Sequence, residues 1–172
     1  AQIEVSKSVN NSFPKVEEAV KVTISIENNS SKTKYLRVIE FFEGEIIYPK
    51  EKVRNITPPK GIIAAIPPHL FWNFSLEPKE KIFLEYIFVP KFVGPLTIQP
   101  TQVYDEEGNS YFSNSVRLEV KCNLNGRCER EIGENCLNCQ DCSCPSSYEC
   151  VGGECIFKGS ICGNKICEEG EN

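Results

Sequence analysis

The chain has 172 residues, with 19 Lys and Arg against 24 Asp and Glu, ten cysteines and no methionine. Residues 1–121 hold 15 basic and 15 acidic side chains, so the whole formal charge of −5 falls on residues 122–172, which also contain every cysteine. The absence of a basic footprint argues against nucleic-acid binding, and the absence of an apolar run near ~18 residues excludes a membrane-spanning helix.

In chain order, AQIEVSKSV is a short alternating strand, either the first strand of its own domain or one that adds to a neighbour's sheet edge. The first of these is the simpler expectation. AVKVTISIENN sets Val20, Val22, Ile24 and Ile26 on one face and Lys21, Thr23, Ser25 and Glu27 on the other. KYLRVIEFF follows after the NNSSKT turn. Prolines 58, 59, 67 and 68 mark a long irregular connection into HLFWNFSL, where Trp72, Phe74 and Leu76 oppose Phe71, Asn73 and Ser75. EKIFLEYIFV aligns Ile82, Leu84, Tyr86 and Phe88, and VGPLTIQP and NSVRLEV follow, the last pointing Val116, Leu118 and Val120 inward. Turns are expected at EPKE (77–80), PKFVGP (90–95) and DEEGN (105–109). No segment carries a 3.6-residue period. The fold class is therefore all-β, with residues 1–121 a two-sheet sandwich large enough to bury a core without staples. Phe71, Phe83 and Ile87 lie on the opposite faces of their strands, leaving apolar surface for a loop, the tail or another subunit.

IEVSKSVNNSFPKVEEAVKVTISIENNS resembles the opening of the immunoglobulin-like repeat domains of archaeal and bacterial surface proteins. WNFSLEPKEKIFLEYIFV is similar to their Trp, polar-strand, Leu-x-Pro-Gly-Glu segment, with Lys79 where the family has glycine, and DEEGNSYFSNSVRLEV fits their final hairpin. The resemblance implies an immunoglobulin-like sandwich acting as a spacer, adhesion or assembly module.

Residues 122–172 are polar and small, and need cross-links or metal to become ordered. CLNCQDCSCP approaches the ferredoxin run C-x2-C-x2-C-x3-C-P, but its fourth cysteine follows one residue rather than three. Zinc could use Cys136 and Cys139 with Cys150 and Cys155, yet eight cysteines without two-by-two grouping fit zinc poorly. A disulfide framework accounts for the even count and density of Cys122, Cys128, Cys136, Cys139, Cys142, Cys144, Cys150 and Cys155, with the pairing left open.

The segment from Cys122 to Cys155 also resembles a repeat of secreted and surface-anchored proteins, C-G-N-G-x-C-E-x-G-E-N-C-x-x-C-P-x-D-C, through Asn125-Gly126, Gly133-Glu134-Asn135-Cys136 and Asp141-Cys142. It departs by two extra residues between Glu129 and Gly133 and by Gln140 where proline is usual. The expected division is a sandwich over 1–121, a disulfide-rich module over 122–157, and the start of a second repeat over 158–172. There Cys162 and Cys167 pair with each other or with cysteines of a continuing chain. Ala1 with no methionine points to a processed N-terminus, or equally to a trimmed chain.

Asn123, Asn125, Glu129, Glu131 and Glu134 follow the ligand spacing of a calcium loop, but Arg127 and Cys128 stand where an EF-hand needs a ligand and glycine. Asn123, Asn125, Glu129 and Glu134 remain candidate Ca2+ ligands; otherwise no cofactor is expected. N-glycosylation triplets occur at Asn10, Asn28, Asn29, Asn55 and Asn73. Catalysis has little support: His69 lies beside two prolines and reads as a loop residue, and Glu17-Glu18 and Glu106-Glu107 read as solvated turns. The expected protein is an exported structural or assembly module of a cell surface or filament, self-associating and not an enzyme. The alternative is an adhesion module binding a glycan or acting through Ca2+.

Overall fold

The computed structural model describes residues 1–42, 44–47, 64–65 and 68–159. Eleven strands build the first part: β1 (Ile3–Val9), β2 (Val20–Asn28), β3 (Lys34–Phe41), β4 (Glu45–Ile47), β5 (Ala64–Ala65), β6 (Pro68–Leu76), β7 (Lys81–Val89), β8 (Gly94–Ile98), β9 (Gln102–Tyr104), β10 (Ser110–Phe112) and β11 (Val116–Val120). One sheet runs β1-β2-β7-β4 and the other β10-β9-β3-β6-β5, while β8 and β11 form a separate ladder. Every pair of strands is antiparallel. The free choice open to AQIEVSKSV resolves within the molecule, because β1 pairs with β2 from Ile3↔Asn28 to Val9↔Val22.

Alternation fills the space between the sheets as a period of two requires. Val20, Val22, Ile24 and Ile26 from β2 and Ile82, Leu84, Tyr86 and Phe88 from β7 meet Leu36, Val38, Leu70, Trp72 and Leu76 from the facing sheet. One sequence expectation changes at this level and one turn forms in an unexpected way. His69 belongs to β6 rather than to a loop, with its ring 5.5 Å from that of Phe41. Lys79 occupies the left-handed region at φ 67°, so the tight turn forms without glycine. Its amide donates to the Asn28 carbonyl at 2.7 Å, which repays part of the steric cost of that conformation.

The tail docks on one end of the sandwich. Just before the tail begins, and still within the sandwich, residues 12–16 run beside β11 and Lys121: Glu119 N–H donates to Ser12 O, Lys121 N–H to Pro14 O, and Val16 N–H to Lys121 O. Val93, in the turn before β8, donates to Ile132 O at 2.7 Å and packs on the cystines of Cys122, Cys139 and Cys142. Gly133 lies so close that a Cβ there would sit 3.0 Å from Val93 O, and its φ of +90° also favours glycine. Beyond this contact the tail has 3-10 turns at Arg130–Ile132 and Gln140–Cys142 and one hairpin, β12 (Tyr148–Val151) with β13 (Glu154–Phe157). The described residues contain no α-helix.

Candidate functional site

Charged side chains enter the sandwich where the strand phase points them inward. In β1, Ile3, Val5 and Val9 share a face with Lys7; in β3, Leu36 and Val38 share one with Glu40 and Lys34. Lys7 and Glu40 come from opposite sheets, and both side chains are fully shielded from solvent. Lys7 Nζ lies 2.8 Å from Glu40 Oε1 and 2.8 Å from Oε2. It also donates to the Gln99 carbonyl. The carboxyl receives two hydroxyl donors, Tyr86 to Oε2 at 2.6 Å and Thr101 to Oε1 at 2.7 Å. Around this centre, Ser113 Oγ accepts the Thr101 amide, and Asn114 clips the free edge of β1 by accepting Lys7 N–H and donating to Lys7 O.

Burial dominates the electrostatics of the pair. It pulls the Lys7 ammonium below its ordinary range, against the attraction of Glu40. It pushes the Glu40 carboxyl up, against Lys7 and the two hydroxyls, and it raises Tyr86, which Glu40 raises further. Loss of water is costly for both ions and is offset only through good geometry and full hydrogen bonding, which this centre supplies.

The cysteine module settles the question of pairing. Four disulfides join Cys122–Cys139, Cys128–Cys142, Cys136–Cys150 and Cys144–Cys155. The first three interleave and the fourth interleaves with the third, so no bridge closes an independent loop. The eight sulfurs are consumed in these bonds, and among the described residues no cysteine is free. A disulfide sulfur differs from the deprotonated thiolate that iron–sulfur and zinc sites bind. Cys162 and Cys167 lie outside the described residues.

Among the candidate calcium ligands, Asn123 and Asn125 both direct side-chain amides to Glu129 Oε1, Asn123 at 3.3 Å. Glu134 takes a different place. It is 1% exposed, its Oε2 accepts the Glu129 amide at 2.8 Å, and a carboxylate oxygen lies within 4.8 Å of the Cys122 and Cys139 sulfurs. Its Oε1 has no hydrogen-bond partner among the described residues.

The glycosylation triplets separate by exposure. Asn10 and Asn73 are exposed and Asn29 is half-buried. Asn28 is corrected: it is fully buried, its amide donating to Lys32 O and Leu76 O and accepting from the Ser30 amide and hydroxyl. An amide engaged on both sides cannot carry a glycan in the folded chain. Asn55 lies outside the described residues.

The two outer faces of the sandwich differ. That of β1, β2 and β7 is largely polar, through Glu4, Ser6, Ser8, Lys21, Thr23, Ser25, Glu27 and Glu85 beside Phe83. The opposite face is aromatic. Tyr35, Ile39, Phe71, Tyr104 and Phe112 share it with Arg37, whose guanidinium stands 5.3 Å from the Phe71 ring centre. Of the apolar surface expected from the strand pattern, Phe71 lies here while Phe83 and Ile87 lie on the polar face.

No protein-family model matches the chain, and no curated protein matches it. Solved structures do. The full-length major pilin SpaD from Corynebacterium diphtheriae is similar with a TM-score of 0.50 and 14% identity, over 68% of this chain and 34% of the pilin. A type II cohesin domain from the cellulosome of Acetivibrio cellulolyticus is similar with a TM-score of 0.44 and 9% identity, over 69% of this chain and 95% of that domain. The chain thus spans about a third of the length of the pilin it matches. At these identities the likeness is one of fold, and the fold is a β-sandwich.

Proposed function

We propose that this chain is an exported structural module of a cell surface or surface filament, in which a β-sandwich and a disulfide-stapled spacer form one stiff unit. The carrying observation is the tail: eight described cysteines all paired, in a segment with almost no apolar core, docked on Val93. Such density of interleaved cystines belongs to oxidising compartments. The buried Lys7–Glu40 centre is closed to solvent, so it ties the two sheets together rather than meeting a ligand from outside. Export and assembly are tested together on material from the native source, by surface fractionation followed by negative-stain microscopy. Filaments or ordered surface arrays containing the chain support the reading; a protein found only in the cytosol as monodisperse particles refutes it.

The aromatic outer face favours a second reading, adhesion through a glycan or protein partner. Exposed Tyr35 beside Arg37, Asn73 and Tyr104 combines flat apolar area with polar edges, as recognition surfaces do. A glycan array with and without Ca2+, repeated on Tyr35→Ala, tests it: binding lost in the variant supports adhesion at this face.

A further inference from the structure

The Lys7–Glu40 centre has the parts of a reaction as well as those of an ion pair. An amine and a carboxyl are held in contact in a dry core, each pushed by burial toward its neutral form. Transfer of one proton across the 2.8 Å contact turns ammonium and carboxylate into amine and acid without changing the net charge. Those are the forms that condense.

We propose that Lys7 and Glu40 join covalently as an amide, tying β1 of one sheet to β3 of the other. The Nζ–Cδ bond forms, one Cδ–O bond breaks, and the departing oxygen leaves as water with the protons released by nitrogen. No oxidant, reductant or activating group enters the balance. The Tyr86 and Thr101 hydroxyls donate to the two carboxyl oxygens, so they polarise the carbonyl and hold the charge that develops on the tetrahedral intermediate. The Gln99 carbonyl accepts an Nζ–H and orients the amine. Fixing both reactants in the fold replaces an encounter in solution by high effective concentration. The product also removes two buried charges, whose desolvation otherwise opposes folding. The placement has a structural sense: residues 1–121 contain no cysteine, and this contact joins the first strand to the facing sheet across the core. The inference stands apart from the proposed surface role, and its test does not depend on that role.

The test is the intact mass of the folded chain after reduction and alkylation, with tryptic mapping. The wild type is expected to be lighter by one water than its sequence with every cysteine alkylated, and to yield a branched peptide in which uncleaved Lys7 is joined to the segment containing Glu40. Lys7→Arg keeps the positive charge but cannot form the bond, and is expected to show its full sequence mass; Glu40→Ala serves as a second control. A full mass in wild-type protein whose Trp72 fluorescence shows it folded overturns the proposal, whether or not either variant folds. So does a mass deficit that maps to other residues.

Discussion

Asn28 gives the sharpest quantitative test of how the sandwich is held. Its side chain bridges the end of β2, the following turn and the last residue of β6 through contacts of 2.8 Å to Lys32 O, 2.9 Å to Leu76 O, 3.0 Å from Ser30 N and 2.6 Å from Ser30 Oγ. Asn28→Ala removes both donors and the acceptor at a site with no access to water. A typical hydrogen bond contributes about 1 kcal/mol net, and a buried group left without a partner costs roughly 1–3 kcal/mol. Two contacts, to Leu76 O and from Ser30 N, are taken as fully lost, while Lys32 O and the Ser30 hydroxyl regain water at the turn. The expected loss is therefore about 2–4 kcal/mol. Trp72 is the single tryptophan and is buried in the same core, so guanidinium unfolding followed by its fluorescence reads the sandwich, with the disulfides of the tail left intact. Asn28→Asp restores the acceptor but neither donor, and should recover less than half of the loss. A change below about 0.5 kcal/mol in Asn28→Ala, the range of ordinary surface substitutions, would refute the bridging role. Glycosylation gives an independent check: Asn10 and Asn73 are open to modification, and a glycan found on Asn28 would contradict its burial.

Three further outcomes follow from the same geometry. Burial alone would raise the Asp105 carboxyl, but the side-chain and backbone donors of Asn109, the Glu107 amide and the Tyr111 hydroxyl outweigh it and hold the group below the usual carboxylate range. Because the folded value is depressed, its stabilisation is present above the unfolded value near 3.8 and is lost as pH falls through the folded one; Asp105→Asn should lower stability at neutral pH by about 1–3 kcal/mol and flatten the acid limb of a pH–stability curve. Lys79→Gly should raise stability by up to about 1 kcal/mol, since glycine adopts the observed positive φ without steric cost, and a lower melting temperature would count against the strain. Reduction by excess dithiol should open residues 122–157 to protease while Trp72 fluorescence persists, because each interleaved bridge contributes about 3 kcal/mol to a segment with little core of its own; unchanged cleavage in the tail would refute that dependence.

Much of the fold was legible in the chain because a strand advertises its buried face every second residue. Val20, Val22, Ile24 and Ile26, and again Ile82, Leu84, Tyr86 and Phe88, are the residues that the core encloses. The same period held a signal for the buried centre: Lys7 falls in phase with Ile3 and Val5, and Glu40 with Leu36 and Val38. A charged residue in an apolar phase is a warning that it has a partner, but alternation within one strand cannot name a partner in another sheet. The candidate calcium set divides in the structure, with Asn123 and Asn125 meeting Glu129 and Glu134 turned away from them. Its spacing grouped Glu134 with Asn123, Asn125 and Glu129, whereas the compact loop turns Glu134 inward to the Glu129 amide and the Cys122–Cys139 bridge.

By itself, then, the sequence determined the all-β class, the strand faces and the location of the cross-linked tail, since these depend on local alternation, turn residues and cysteine density. Tertiary structure alone decided which of the many pairings the eight sulfurs adopt, that Asn28 is a buried bridge rather than an acceptor for sugar, and that Lys7 and Glu40 meet. Each of those outcomes depends on distances between residues far apart in the chain, fixed only when the two sheets close on each other and the tail folds against Val93.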